Sequence, residues 1–183
     1  MEVFKSKRFL TSLTLFGAMA VLSRLLPHPP NMAAVGALAL FAGAHGKSKW
    51  YILAPLLVMA LTDPILGFYE GGIMAGVYGS LLLMGILGWW VKKHVSGHRV
   101  LAAGVAGEIL FFLITNWAVW AFSPMYAKTL GGLLESYLLA LPFFRNSLAG
   151  TLVYTGIFFG VYELAKSHQR TPQTAKTAEI AAS

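Results

Sequence analysis

The chain reads as an all-α, polytopic membrane bundle of six transmembrane helices with both termini cytoplasmic. Three observations predict this. Of 183 residues, 57% are hydrophobic and 11% charged, whereas a soluble domain carries about a quarter charged residues. The apolar residues fall in long blocks, which makes lipid their natural solvent. Six such blocks also sort the basic residues by side. Lys5, Lys7, Arg8, Lys47, Lys49, Lys92, Lys93, Arg99, Lys166, Arg170 and Lys176 fall on one face, and only Arg24, Lys128 and Arg145 on the other. Basic loops stay in the cytoplasm, which orients the bundle in a cell inner (plasma) membrane. One membrane domain, residues 1–165, fills the chain. Residues 166–183, polar and rich in Thr, Ala and Lys, read as a disordered cytoplasmic tail.

The first span, 8–26, runs outward. Basic Lys5-Ser-Lys-Arg8 and the apolar run to Ala18-Met-Ala20 mimic a cleaved signal peptide, but the run continues to Leu26 and reads as a retained helix. The second, 32–44, returns inward. At 1.5 Å per residue it falls short of a ~30 Å hydrocarbon core, so it is either packed inside the bundle or continued by non-helical chain. The third, 50–66, runs out and contains Pro55, Asp63 and Pro64. The fourth, 73–91, comes in and ends at Trp89-Trp90. The fifth, 100–122, runs out and carries Glu108 and Asn116. The outer segment 123–145 includes an apolar stretch, 130–141, closed by Pro142. That stretch reads as a short separate helix, either a lid over a cavity or an interfacial anchor. The sixth span, 146–165, returns inside. Trp50, Tyr51, Trp89 and Trp90 form an inner aromatic belt, and Tyr69, Trp117, Trp120 and Tyr126 an outer one. The pairs Ala33/Ala37, Ala39/Gly43 and Gly156/Gly160 permit close helix contact.

Polar residues within spans are costly in lipid and are functional candidates by default. On this topology they gather at the outer side: Arg24, His28, Asn31, Asp63, Asn116, Arg145 and Asn146, with Trp120 one turn beyond Asn116 on the same helix face. Pro27-His-Pro-Pro-Asn31 and Pro142-Phe-Phe-Arg-Asn146 share a Pro-xxx-Asn pattern where an outside-to-inside helix begins. Asparagine is a favoured N-cap. Two helix N-termini facing one cavity, reinforced by Arg24 and Arg145, would suit an anionic group. Asp63 either pairs with Arg24 or Arg145 or meets the ligand. Glu108, near mid-membrane, pairs with an inner-side basic residue, caps a polar contact between helices or carries a proton. Trp120 offers a stacking face to a ring-containing solute.

Other function classes lose support. There is no His-Glu-x-x-His, Gly-x-Ser-x-Gly, phosphate loop or dinucleotide fingerprint, so no enzyme is expected. There are no cysteines, which removes thiolate metal sites and thiol nucleophiles. His28 and Asp63 are two ligands without a third, so neither metal nor cofactor is expected. A net charge of +7 and a pI near 9.8 come from basic residues at span ends, where lipid headgroups explain them. No nucleic acid partner is expected.

Arg24-Leu-Leu-Pro-His-Pro-Pro-Asn31 leading into Val35-Gly-Ala-Leu-Ala-Leu-Phe41, with Thr62-Asp-Pro-Ile-Leu-Gly67, Asn116-Trp-Ala-Val-Trp120 and Leu141-Pro-Phe-Phe-Arg-Asn146, resembles an uncharacterised family of small bacterial membrane proteins described as transporters. That family is similar to the S-components, the substrate-binding subunits of energy-coupling factor (ECF) transporters. The resemblance implies six helices with inner termini and a pocket near the outer surface for a vitamin or other micronutrient. It also implies an energising module of one membrane coupling subunit and two ATPases. The Ala-xxx-Ala patch that many S-components carry on their first span is missing here, so a solitary protein is an alternative. The missing cysteine argues against a thiol holding a cobalt-containing vitamin. The expected function is binding of a small solute at the outer face for uptake. The rival is a non-enzymatic membrane scaffold of the cell-shape type, with filled outer ends and no cavity.

Overall fold

The computed structural model describes residues 2–167. Its elements are α1 (Glu2–Leu25), α2 (Val35–His45), α3 (Ala54–Leu66), α4 (Gly71–Val91), α5 (Gly97–Phe122) and α6 (Leu130–Ser167), with 3₁₀ turns at Lys49–Leu53 and Lys92–His94. Among the described residues there is no strand. Five stretches are long and apolar enough to cross a membrane: α1, α3 with its leading 3₁₀ turn, α4 with the turn that follows it, α5 and α6. Of the expected tail, Lys166 and Ser167 are still helical, and 168–183 lie outside the described residues.

Polarity is distributed inside out. Large apolar side chains such as Trp90, Phe68, Ile65, Leu57 and Leu138 stand exposed, while Thr62, Asp63, Ser80, Glu108, Ser147 and Thr151 are buried. A soluble monomer does not expose apolar surface on this scale. The arrangement is that of a membrane protein, whose helices associate through dispersion contacts and internal hydrogen bonds.

The short second helix is the axis of the bundle. A helix apolar on all sides has no face to give to water, and every residue of α2 from Val35 to Ala44 is buried. It packs against α1, α3, α4, α5 and α6. Glycine makes its closest crossing possible. A β-carbon at Gly43 would collide with the carbonyl oxygen of Gly85, and one at Gly88 with the carbonyl oxygen of Leu40. The α2 and α4 backbones therefore touch. Past the far end of α2, Lys92 Nζ donates to the Gly46 carbonyl. Gly156 and Gly160, by contrast, meet no atom within 4 Å of a built β-carbon and face outward.

The last helix departs from the sequence expectation. Residues 130–141 do not form a separate lid or anchor. They continue through Pro142 into one 38-residue helix, α6. Proline in a helix interior removes one backbone hydrogen bond, and packing against α5 offsets that loss. Tyr137 Oη donates to the Leu113 carbonyl at 2.9 Å. The Phe112 ring lies 5.5 Å from Tyr137 and 4.9 Å from Phe144, bracketing the proline. A polar turn, 123–129, joins α5 to α6 as an antiparallel hairpin.

One half of the bundle is filled with rings. Phe16 stacks on Phe158 at 4.2 Å, Phe41 meets Phe16 edge-on at 4.9 Å, and Phe9 meets Tyr51 edge-on at 4.8 Å. Phe159 and Tyr162 close on Phe41 from α6. The other half, toward the segments 26–34 and 67–70, is hollow.

Candidate functional site

The hollow half holds a cavity of about 380 Å³, bounded by α2, α3, α4, α5, α6 and the segment after α1. Its rim carries Arg24, His28, Asn31, Leu66 and Tyr69, of which His28, Asn31, Leu66 and Tyr69 are exposed. The cavity is therefore open at that end. Val35, Met59, Val77, Leu81, Phe111 and Val119 give it apolar walls, with Thr115 among them. Glu108, Ser147, Thr151 and Gly36 form the floor. Below the floor stand Met84 and the aromatic cluster, so the pocket is blind. A side alcove of about 60 Å³ between α5 and α6 shares Asn31, Glu108 and Ser147 and is bordered by Asn116 and Phe112.

The floor is a built polar site in an apolar shell. Ser147 Oγ donates to one Glu108 oxygen and Thr151 Oγ1 to the other, each at 2.6 Å. Both oxygens of this buried carboxyl group are thereby engaged by hydroxyls. Ser147 and Thr151 stand i, i+4 on α6, so one helix face delivers both. A side chain at position 36 would force its neighbours to move. A β-carbon there would lie 2.7 Å from Thr151 Oγ1 and 3.1 Å from the Glu108 carboxylate. The first turn of α2, whose unpaired N–H groups carry partial positive charge, thus abuts Glu108. Glu108 is 3% exposed, and among the described residues no basic side chain lies within ion-pair distance of it.

The rim is held by a second network. Arg24 Nη2 meets Asp63 Oδ1 at 2.6 Å, and Tyr78 Oη donates to Asp63 Oδ2 at 2.8 Å. Arg24 also touches the Met59 sulfur. The pair ties α1 to α3 and α4, with the Asp63 side chain fully enclosed behind the cavity wall. Tyr69 sits in the 67–70 loop. The partial burial of its ring first, and the Asp63 charge second, push its phenol up to about 12, so it is a neutral O–H donor at physiological pH.

The eight residues singled out from sequence separate in space. Arg24, His28 and Asn31 line the cavity. Asp63 lies behind it, paired with Arg24. Asn116 lines the alcove, with its amide donating to the Phe112 carbonyl at 2.8 Å. Trp120 lines neither. Its ring N–H donates to the Ala127 carbonyl at 2.9 Å, fastening the 123–129 turn. Arg145 is exposed on α6, and Asn146 borders neither space. Neither asparagine caps a helix. Asn31 adopts a left-handed backbone, φ 65°, four residues before α2 begins, and the Ala34 N–H is satisfied by Ser23 Oγ at 3.0 Å. Asn146 is interior to α6. The N-terminus of α2 reaches the cavity floor, where Glu108 meets it, and that of α4 reaches the rim, where Ile73 lines the cavity and its N–H donates to Glu70 at 3.1 Å.

Sequence reasoning weighed Glu108 without placing it in the pocket, assigned Tyr69 to the outer aromatic belt, and did not single out Ser147, Thr151 or Thr115. Two signals were present. Ser147, Thr151 and Thr155 form a polar stripe at four-residue spacing in an otherwise apolar helix. On α5, Phe111, Thr115 and Val119 follow Glu108 along a single face. Among the described residues no three His, Asp or Glu side chains converge as a metal site would require.

Fold and site together define a helical membrane protein with a one-ended internal cavity. The chain belongs to DUF6580, a family of unknown function, whose sequence profile matches residues 4–174. No curated protein and no solved structure matches it.

Proposed function

We propose that this protein is an integral membrane transport protein of the inner (plasma) membrane that binds a small solute, of the vitamin or micronutrient class, from the outer side for uptake. Six helices span or enter the bilayer, both termini are cytoplasmic, and the rim at His28 and Tyr69 faces outward. The observation that carries the reading is the blind cavity of about 380 Å³, within the 300–1,000 Å³ range of small-molecule pockets. Its walls are mostly apolar, and its polar groups gather at the floor and the rim. A scaffold has no use for such a hollow; filling it with side chains would stabilise the bundle. A blind pocket also fits a binding subunit better than a channel. Release to the other side needs a rearrangement, which is the work an energising module of the ECF kind would supply. The resemblance to S-components supports that partner class.

The test is a thermal-shift screen of the purified full chain against vitamins, nucleobases, amines, organic acids and metal chelates. At least one class should raise the melting temperature, and Val77→Trp, which places an indole in the cavity, should abolish the shift. Silence across the whole library would overturn the reading in favour of the scaffold.

A further inference from the structure

The chemistry of the cavity floor restricts what can sit there. Glu108 accepts from both Ser147 and Thr151, so the protons of those hydroxyls are committed. A carboxylate has about four lone-pair sites and a hydroxyl oxygen two. Two acceptor sites remain on Glu108, and each hydroxyl oxygen keeps accepting capacity. The floor thus presents acceptors and no free side-chain donor. Its one acidic group is Glu108, and the basic groups among the lining residues, Arg24 and His28, sit at the rim. Arg24 is held there by Asp63 at 2.6 Å, and the His28 ring by the Leu26 carbonyl at 2.7 Å. A buried carboxylate is stable when a positive partner or further donors reach it.

We infer that the cavity takes a solute with a positively charged, N–H-bearing nitrogen head, an amine or amidine, which docks on Glu108 beneath an apolar or aromatic body. This rests on the solute-binding reading above and names the class of solute. The walls at Val35, Val77, Leu81 and Phe111 accommodate the body, and the head supplies the counter-charge with which Glu108 ionises. An anionic head would find no counter-charge on the floor.

The experiment uses matched probes on the purified full chain: tryptamine, tryptophol and indole-3-acetate, and benzamidine, benzamide and benzoate. Within each set the body is kept and the head is changed from cation to neutral to anion. The cations should bind at least about ten-fold more tightly than their neutral analogues, the span a charged hydrogen bond commands, with the carboxylates weakest. In Glu108→Gln that preference should fall to within about two-fold. Equal or tighter binding of a neutral or anionic analogue by the wild-type chain overturns the inference, and so does an unchanged preference in a folded Glu108→Gln. The wild-type series decides by itself if the variant does not fold. If only solutes lacking a cationic nitrogen bind, here or in the wider screen, the inference falls and the solute-binding reading stands. If nothing binds in either experiment, both fall.

Discussion

At the scale of single residues, the chain buries two carboxyl groups, Asp63 and Glu108, where lipid would make them expensive, and gives both oxygens of each a hydrogen-bond donor. Asp63 is the clearest case. Its two oxygens are taken by Arg24 and Tyr78, and its side chain is enclosed. Breaking a buried pair from one side leaves the other charge uncompensated, at a cost of about 3–5 kcal/mol. Asp63→Asn should therefore lower the melting temperature of the detergent-solubilised protein by several degrees. Tyr78→Phe, which removes one hydrogen bond worth about 1 kcal/mol, should lower it much less. The double variant Arg24→Met/Asp63→Leu should recover most of the loss. An Asp63→Asn protein as stable as the parent would mean that the pair is not formed. The Arg24–Asp63 contact was legible in the sequence as one of two open roles for Asp63, because sidedness alone put both at one end. The Glu108 floor was not legible, because its partners lie 39 and 43 residues away and nothing local says which faces of α5 and α6 meet. Asn146, one position from Ser147, shows how small the error was. A helix turns 100° per residue, so a one-residue error in phase points a side chain away from the cavity.

At the scale of elements, α2 and α6 carry the lesson. The brevity of α2 was visible in the sequence, and so were the two ways to accommodate it. Burial on every side follows from its lack of any polar face. Its contact with α4 depends on Gly43 and Gly88, and Gly43 was marked by its spacing from Ala39. Spacing misled at Gly156/Gly160, where the same pattern faces outward with open space around it. A pattern of small residues reports that helices can approach, while the fold decides whether they do. The two positions therefore separate experimentally. Gly43→Leu forces a side chain into the α4 backbone and should cost more than the 1–3 kcal/mol typical of overpacking, read as loss of folded protein after purification. Gly160→Leu adds an apolar side chain to an open face and should change the melting temperature little. Equal behaviour of the two variants would contradict the α2–α4 crossing. Pro142 misled for a related reason. Proline predicts a helix end from local chemistry, but docking of Tyr137 and Phe144 on Phe112 holds the helix through it.

At the scale of the whole molecule, the bundle is asymmetric along its axis. Rings from α1, α2 and α6 fill one half, and the other half holds the cavity with its polar floor and its paired rim. The sequence foretold this asymmetry through charge: basic residues at one end, the remaining polar residues toward the other. It did not foretell the depth of the cavity, since depth depends on which side chains fail to fill the space between helices, a property of packing rather than of composition. Orientation ties the asymmetry to function. A binding pocket for uptake must open away from the cytoplasm, so the rim and the basic end must lie on opposite sides of the bilayer. The chain contains no cysteine, which makes single-cysteine variants clean reporters. With a membrane-impermeant maleimide on intact cells, His28→Cys and Met125→Cys, at the rim end, should label fully. Lys49→Cys and Lys93→Cys should label only after the membrane is opened. The inverse pattern would place the pocket on the cytoplasmic side and sink the uptake reading, because a solute gripped there is already inside the cell.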